Sequence, residues 1–445
     1  MNDREEVSDT QLRLLDKVKD YLAVRSLRNK EKVANDPSCY LNSWATGSLG
    51  YLRLQCLYKG IGELPAYLYS FIRSVLNTGF CYVYKIVKSE SPSSSHKYVI
   101  ISWCREASFL ADGSFECPYY GVNSRDLPDA LWFLLSLDNI SPKNIHKNIN
   151  IFVKNSECKY DIFFVLKNIW RWVTRKIIPV SEVIYSHALT SAFSSKVLGA
   201  SIKLVLTPYE AQSWQHALNK SAKAFDSSIK TMGYLHSSLP PLPTDYIKRD
   251  GEPDILFVNG NGQKEILQKY LGWEDKSVHV IKSLRYGKVT KKIFSGRIFI
   301  PYDFNAANSY LNLLESFLKE MDSDIHPLEV QNHPLKEKSE KHLALIEDVK
   351  NLLIRYQKFF DINSKRQISI VFGATTCVLE CLARGVDVVH ISSNPVYESY
   401  SGVIWRDLQI NKISDHISFY KQEKKDEYIC LREDKPNLEE ILAYV

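Results

Sequence analysis

Near the end of the chain, Ile368-Ser-Ile-Val-Phe-Gly-Ala-Thr-Thr-Cys-Val-Leu-Glu380 passes from an apolar run through a glycine and two hydroxyls into a helical pattern. Read as strand, tight turn and helix, it sets Gly373, Thr375 and Thr376 at a helix start. Free backbone N–H groups, the positive end of the helix dipole and small hydroxyls all suit a phosphate there. Upstream, His333-Pro334 ends the apolar run Leu328-Glu-Val-Gln-Asn332 and would supply one more donor from the tip of a neighbouring strand. Glu380 lies one helical turn beyond the hydroxyls. The competing account of Thr375 and Thr376 is helix capping without a ligand.

Acid–base chemistry has its own candidates. Glu210 follows the apolar run Lys203-Leu-Val-Leu-Thr-Pro-Tyr209 and so emerges at the carboxyl end of a strand, placed to take a proton from a hydroxyl or to act as nucleophile, or else to serve only as an acidic residue at a helix start favoured by the dipole. Asp112, in the loop after another strand, has the same opportunity, and an Asp-Gly turn is its structural alternative. His236, just beyond Gly-Tyr-Leu235, can assist proton transfer or bind a carboxylate, with a structural histidine of the hinge as the alternative. Arg285 offers a planar fork that matches two anionic oxygens. Asn259-Gly260-Asn-Gly262 follows a strand as a nucleotide-approach loop would, without completing GxGxxG. There is no GxxxxGK[ST]. No Asp-x-Asp stands at a strand end, since Asp322-Ser-Asp324 follows a helix, so the expected chemistry uses no metal: His, Arg and helix N–H groups would stabilise a leaving phosphate.

The elements that must position these residues alternate. Strands are expected at 98–103, 149–153, 203–207 and 229–235 and helices at 126–137 and 161–175. After the proline-rich Leu239-Pro-Pro-Leu-Pro-Thr-Asp245 the pattern restarts: strands at 254–258, 278–281, 297–301, 327–331, 368–372 and 386–391, with helices at 263–271, 305–321, 337–357 and 376–384. Such alternation builds doubly wound parallel sheets. The expected organisation is therefore an N-terminal accessory helical module (1–95), a Rossmann-like acceptor domain (96–245), a Rossmann-like nucleotide-sugar domain (246–425) and a C-terminal tail (426–445), with a hinge near 240–250. The module opens with a helix from Asp9 to Ala34, striped by Leu12, Leu15, Val18 and Leu22 with Leu14 and Val24 off the stripe, and the Ser-rich stretch 89–96 closes it.

Composition narrows the class. The 445 residues, 45% hydrophobic and 24% charged, describe an ordinary globular chain long enough for two sizeable cores. A formal charge of +6 without dense Lys/Arg blocks excludes nucleic acid as the expected partner and favours an anionic substrate or an anionic membrane face. Nine scattered cysteines without paired CxxC, two of them (Cys377 and Cys381) a helical turn apart, read as buried free thiols of a reducing compartment. With no signal-peptide pattern and no membrane-spanning run, a cytoplasmic location is expected. The aromatic stretch 64–87 qualifies it as a segment that would lie on the inner membrane face, or else be buried against the first domain.

An HP dipeptide at a strand end, paired with a later hydroxyl pair at a helix start, resembles the bacterial sialyltransferases and Kdo transferases; the matches are His333-Pro334 and Thr375-Thr376, with Glu380 beyond. Ala111-Asp-Gly-Ser-Phe-Glu-Cys-Pro-Tyr-Tyr-Gly121, Tyr209-Glu-Ala-Gln-Ser-Trp214, Met232-Gly-Tyr-Leu-His-Ser237 and Ser283-Leu-Arg-Tyr286 are similar to motifs of bacterial surface-carbohydrate biosynthesis proteins. The resemblance covers roughly residues 98–395, and threonines stand where the family hydroxyl pair is usually serine. It implies a GT-B fold, two Rossmann-like domains facing a cleft. It also implies a metal-independent glycosyltransferase of lipopolysaccharide, capsule or O-antigen assembly, using a CMP-linked ulosonic acid (Kdo or a sialic-acid-like sugar) and a glycan or lipid-linked glycan acceptor. Donor-binding residues would be Asn259, Gly260, Arg285, His333, Pro334, Gly373, Thr375, Thr376 and Glu380; catalytic residues would be Glu210, Asp112, His236 and His333. Alternatives of other kinds are a UDP- or GDP-sugar transferase, an epimerase, and a non-catalytic nucleotide- or glycan-binding module.

Overall fold

The computed structural model describes residues 3–28, 48–61, 68, 80–87, 95–136, 140, 142, 144–160, 166, 170, 181–287, 294–300, 306–320, 325–331, 340–364, 366–422, 424 and 427–444. Two sheets organise them. The first holds β1 (Phe80–Ile86), β2 (Tyr98–Trp103), β3 (Ala130–Ser136), β4 (Ile149–Tyr160), β5 (Leu204–Pro208), β6 (Lys230–Tyr234), β7 (Ile255–Val258) and β8 (Val278–Val280), in the order β1-β4-β3-β2-β5-β6-β7-β8. All its pairings are parallel except that of β1 with β4. The second holds β9 (Arg297–Phe299), β10 (Glu329–Gln331), β11 (Ile368–Phe372), β12 (Asp387–Ile391), β13 (Leu408–Ser414) and β14 (Ile417–Gln422), in the order β10-β9-β11-β12-β14-β13. Its first four strands are parallel and the β13–β14 hairpin closes the edge antiparallel.

This is the expected pair of Rossmann-like sheets, with several differences. The segment expected as a helix at 126–137 is the strand β3, buried at all seven positions. A continuous apolar run has the same composition in a buried helix and in a parallel strand covered on both faces, so periodicity cannot separate them. The helix expected at 161–175 lies largely outside the described residues. Strands β7 and β8 extend the first sheet, so the change of domain falls between β8 and β9 instead of at 240–250. Local patterning marks strands without saying which neighbour they pair with.

The proline-rich segment is consequently no hinge. Leu239, Leu242, Tyr246 and Ile247 are buried in a core shared by both sheets, and Trp405 of the second unit donates its indole N–H to the Pro241 carbonyl at 3.0 Å. Nor is the N-terminal helix, Asp3–Arg28, an accessory. Leu14, Leu15, Val18 and Leu22 are buried in that same core beside Val371, Val378, Tyr400 and Trp405. Leu14 is thus buried with the stripe, while Val24 is exposed as expected. The strand Phe80–Ile86 belongs to the first sheet, which answers part of the aromatic stretch 64–87; residues 62–67 and 69–79 lie outside the described residues.

The tail, too, is structural. Leu438, Ile441 and Leu442 pack under the first sheet, and Arg432, 2% exposed, forks onto Glu440 with two 2.8 Å bonds while its Nε donates to the Ser283 carbonyl. The loop after β7 is sealed by the same tail: a Cβ on Gly260 would overlap the carbonyls of Glu427 and Tyr428. Backbone cannot give way as a side chain end does, so Gly260→Ala is expected to cost about 2 kcal/mol of stability through overpacking, read as a lower unfolding midpoint in denaturant. Among the described residues no helix is long and apolar enough to cross a membrane.

Candidate active site

In an open α/β sheet the crevice lies outside the strand carboxyl ends where the winding reverses. In the first sheet that point is between β2 and β5, which pair in parallel but wind in opposite directions. The loop after β2 carries Tyr119 and the loop after β5 carries Glu210. Next to them come His236 after β6 and Arg285 after β8. From the second sheet, the turn after β11 brings Gly373, Thr375 and Glu380.

Glu210 is held by its own motif. Tyr209 is fully buried and pairs its hydroxyl with His216 Nε2 at 2.8 Å, and Trp214 packs edge-on against Trp103, so both ends of Tyr209-Glu-Ala-Gln-Ser-Trp214 are anchored in core. Between them Ala211 adopts φ 55°, the one positive φ outside glycine among the described residues. For an L-residue that conformation costs on the order of 1–2 kcal/mol. It turns the chain so that Glu210 projects while Gln212 and Gln215 cap the helix Ser213–Phe225. Gln215 Oε1 accepts the Glu210 amide at 3.0 Å, and Gln212 Nε2 donates to the Glu210 carboxylate.

His236 supports the same carboxylate. Its Nε2 stands 3.3 Å from Glu210 Oε1; the imidazole is 4% exposed and the carboxylate 32%. Burial lowers the His236 pKa against the pull of Glu210, which favours the neutral ring. A neutral ring donates through Nε2–H and leaves Nδ1 as a lone pair, here buried without a protein partner. The Tyr119 ring meets His236 edge to face at 4.5 Å, and burial, with the nearby Glu210 charge, pushes its phenol up to about 12.

Arg285 joins the two sheets electrostatically. It is exposed to solvent, with the aromatic rings of Tyr119 and Tyr286 beside its guanidinium. Burial opposes its charge, but Tyr286, Glu380, Tyr119 and Glu210 together hold its pKa above the ordinary arginine value. Its guanidinium lies 5.2 Å from the Tyr286 ring centre and 5.9 Å from that of Tyr119. The loop is fixed in advance: Ser283 Oγ accepts the amides of Arg285 and Tyr286, and the Leu284 amide donates to the Tyr234 hydroxyl at 2.8 Å.

On the facing sheet, desolvation raises the Glu380 pKa while Arg384 and Arg285 lower it; Arg384 Nη2 stands 3.4 Å from Glu380 Oε1. Gly373 adopts φ 66° with the Tyr310 hydroxyl so close that a Cβ would stand 2.6 Å from it. Its carbonyl accepts from His390 Nε2 at 2.7 Å. Thr375 Oγ1 accepts the Cys377 amide at 3.2 Å, and the seven-residue helix Cys377–Ala383 follows Thr376. Cys377 and Cys381 are free thiols; Cys381 is buried as expected, whereas Cys377 is half-buried.

Thus Glu210, His236, Arg285, Glu380 and the Gly373–Thr376 turn come together. Other expected residues do not. Asp112 Oδ1 accepts from the Ser114 amide and hydroxyl, and its other oxygen pairs with Arg125, so it closes the Asp-Gly turn as the structural alternative held. Asn259 is fully buried, with Nδ2 on the carbonyls of Leu235 and Ser237 and Oδ1 accepting from Tyr234; it ties the ends of β6 and β7 together and offers nothing to a donor. Gly260 is covered by the tail. His333 and Pro334 lie outside the described residues. Tyr119, Gln212 and Arg384 were not anticipated. Tyr119 sits in the motif from which Asp112 was chosen, and only the position of its loop at the winding reversal distinguishes it. Among the described residues no three His, Cys, Asp or Glu side chains cluster as metal ligands would.

His390 makes the turn's support sensitive to acid. Its burial lowers the imidazole pKa from the ordinary 6.5 to about 4, against the favourable bond to Gly373. The folded-state pKa is depressed, so the unfolded chain binds more protons between those values; stability from this group is full above pH 6.5 and is lost as pH falls toward 4. Glu252, raised by burial, acts with the opposite sign in that window. The check is therefore a difference: His390→Gln should show a flatter loss of stability than the unsubstituted chain between pH 6.5 and 4.

No protein-family model and no curated protein matches the chain. Among solved structures, a trehalose-6-phosphate synthase from work on glycosyl transfer with retention is similar at TM-score 0.35 and 11% identity, over 65% of this chain and 87% of that one. A likeness of this degree bears on neither substrate nor mechanism.

Proposed function

We propose that this chain is a GT-B glycosyltransferase that moves an acidic, nucleotide-activated sugar onto a hydroxyl of a glycan or lipid-linked glycan. The observation that carries the reading is the placement of Arg285. A cation after β8 feels the charge of a supported carboxylate of one sheet, Glu210, and that of Glu380 in the helix behind the glycine turn of the other. A transferase needs a group for the acceptor proton on one side and a grip on anionic oxygens on the other.

Glu210 is the base of this proposal, since its carboxylate reaches solvent while His236 Nδ1 does not; His236 and Gln212 orient it. Arg285 pairs with phosphate or sugar carboxylate, and the Gly373–Thr376 turn with the nucleotide phosphate. The donor we propose is a CMP-linked ulosonic acid of the Kdo or sialic-acid kind, transferred without a metal in bacterial surface-polysaccharide assembly, on the strength of the His333-Pro334 and Thr375-Thr376 resemblance.

The test is thermal stabilisation by CMP, UDP, GDP and ADP at equal concentration, followed by turnover of the matching sugar nucleotide. At a hundred times Kd a ligand adds about 2.7 kcal/mol to folding stability. Selective stabilisation by CMP, with transfer, supports the full reading. Selectivity for UDP or GDP replaces the donor, UDP-sugar turnover without an acceptor makes the protein an epimerase, binding without turnover makes it a non-catalytic module, and no response to any nucleotide overturns the proposal.

A further inference from the structure

The N-terminal helix ends up in contact with a part of the chain almost 390 residues away. Gln11, fully buried, donates from Nε2 to the Val396 carbonyl at 2.9 Å and to the Ser399 carbonyl at 2.8 Å. Both amide hydrogens are thereby spent on the segment that follows β12, while Oε1 is buried with no protein partner. Burying a polar amide in a leucine-lined helix face is unfavourable unless its bonds fix something.

What they fix leads to the glycine turn. Glu398 accepts the Ser393 amide and hydroxyl at 2.7 Å each and the Tyr310 hydroxyl at 3.4 Å. That Tyr310 hydroxyl is the group lying against Gly373. Two residues beyond Glu398, Tyr400 donates its hydroxyl to the Thr375 carbonyl at 3.0 Å. Residues 393–400 therefore reach the turn directly through Tyr400 and indirectly through Glu398 and Tyr310, and Gln11 holds their carbonyls at Val396 and Ser399.

We infer that Gln11 is a positioning residue: the N-terminal helix sets residues 393–400, and through Tyr310 and Tyr400 the Gly373–Thr376 turn, in the geometry that grips the nucleotide. The nucleotide part rests on the function proposed above, whereas the mechanical coupling does not. Gln11→Met keeps the volume and removes both donors. In the full chain it should speed amide hydrogen exchange at least about tenfold in peptides covering 373–377 and 393–400. Leu22→Ala, which thins the same helix's packing while leaving both Gln11 bonds in place, should leave the ratio of exchange there to exchange in β3 unchanged. Gln11→Asn, which withdraws the amide by one methylene, replaces the Met variant if that one does not fold.

With CMP as probe, Gln11→Met should weaken Kd about tenfold and raise KM for the donor while kcat at saturation stays the same. Unchanged exchange at 373–377 overturns the coupling whatever the nucleotide data show, and so does an equal effect of Leu22→Ala. Faster exchange in a chain that binds no nucleotide upholds the coupling and sinks the proposed function instead.

Discussion

Glu210→Gln is expected to lower kcat by roughly 10²–10⁴-fold, the range for loss of a general base, while donor affinity changes little. The substitution keeps the shape of the side chain and one oxygen, which accepts from the His236 Nε2–H, while the new amide nitrogen faces the Gln212 donor, so that bond is lost and the half-exposed side chain turns to water instead. What disappears is the capacity to take a proton. Because the side chain reaches solvent and the strained corner at Ala211 is anchored by Tyr209 and Trp214, stability should stay within about 0.5 kcal/mol. Steady-state kinetics at saturating donor, with a denaturant melt alongside, is the check. Turnover within threefold of the unsubstituted chain would remove Glu210 from the chemistry. His236→Ala would then be the next variant, although its buried Nδ1 makes it the weaker candidate.

The second large effect belongs to Arg285. Removing a charge-assisted, two-oxygen contact is worth about 3 kcal/mol, so Arg285→Ala should weaken nucleotide binding roughly a hundredfold, measurable by calorimetry. Lysine should restore only a small part, because a point charge cannot match two oxygens with a planar fork. The fold should tolerate the change: the loop is held by Ser283, Tyr234 and Arg432, which act on its backbone and not on the guanidinium. If instead Arg285 only stacks on Tyr286 and Tyr119, affinity will be unchanged and the cleft cation has no ligand.

Much of this arrangement was legible in the residues themselves. Turn chemistry at Gly373, strand runs ending at Tyr209 and Tyr234, and the alternation of strand and helix are local properties. They announced two Rossmann-like sheets and put Glu210, His236 and Arg285 just beyond strands and Glu380 in the helix that follows the glycine turn. Pairing is not local. Nothing in Ile255–Val258 or Val278–Val280 says that they extend the first sheet instead of founding the second, and the apolar Ala130–Ser136 satisfies helix and buried strand alike. Asp112 and Asn259 looked as promising as Glu210. They differ only in what surrounds them, a turn closed on Ser114 and Arg125 in one case and a buried knot of backbone carbonyls in the other.

The sequence by itself determined the element types and the chemical character of the candidate groups, because propensity, turn residues and polarity act within a few residues. Only the tertiary structure decided which carboxylate is supported and open, that Arg285 lies between two sheets, and that the N-terminal helix and the tail are integral. Those outcomes depend on burial and on contacts between residues hundreds of positions apart, where packing, not local preference, selects the partner.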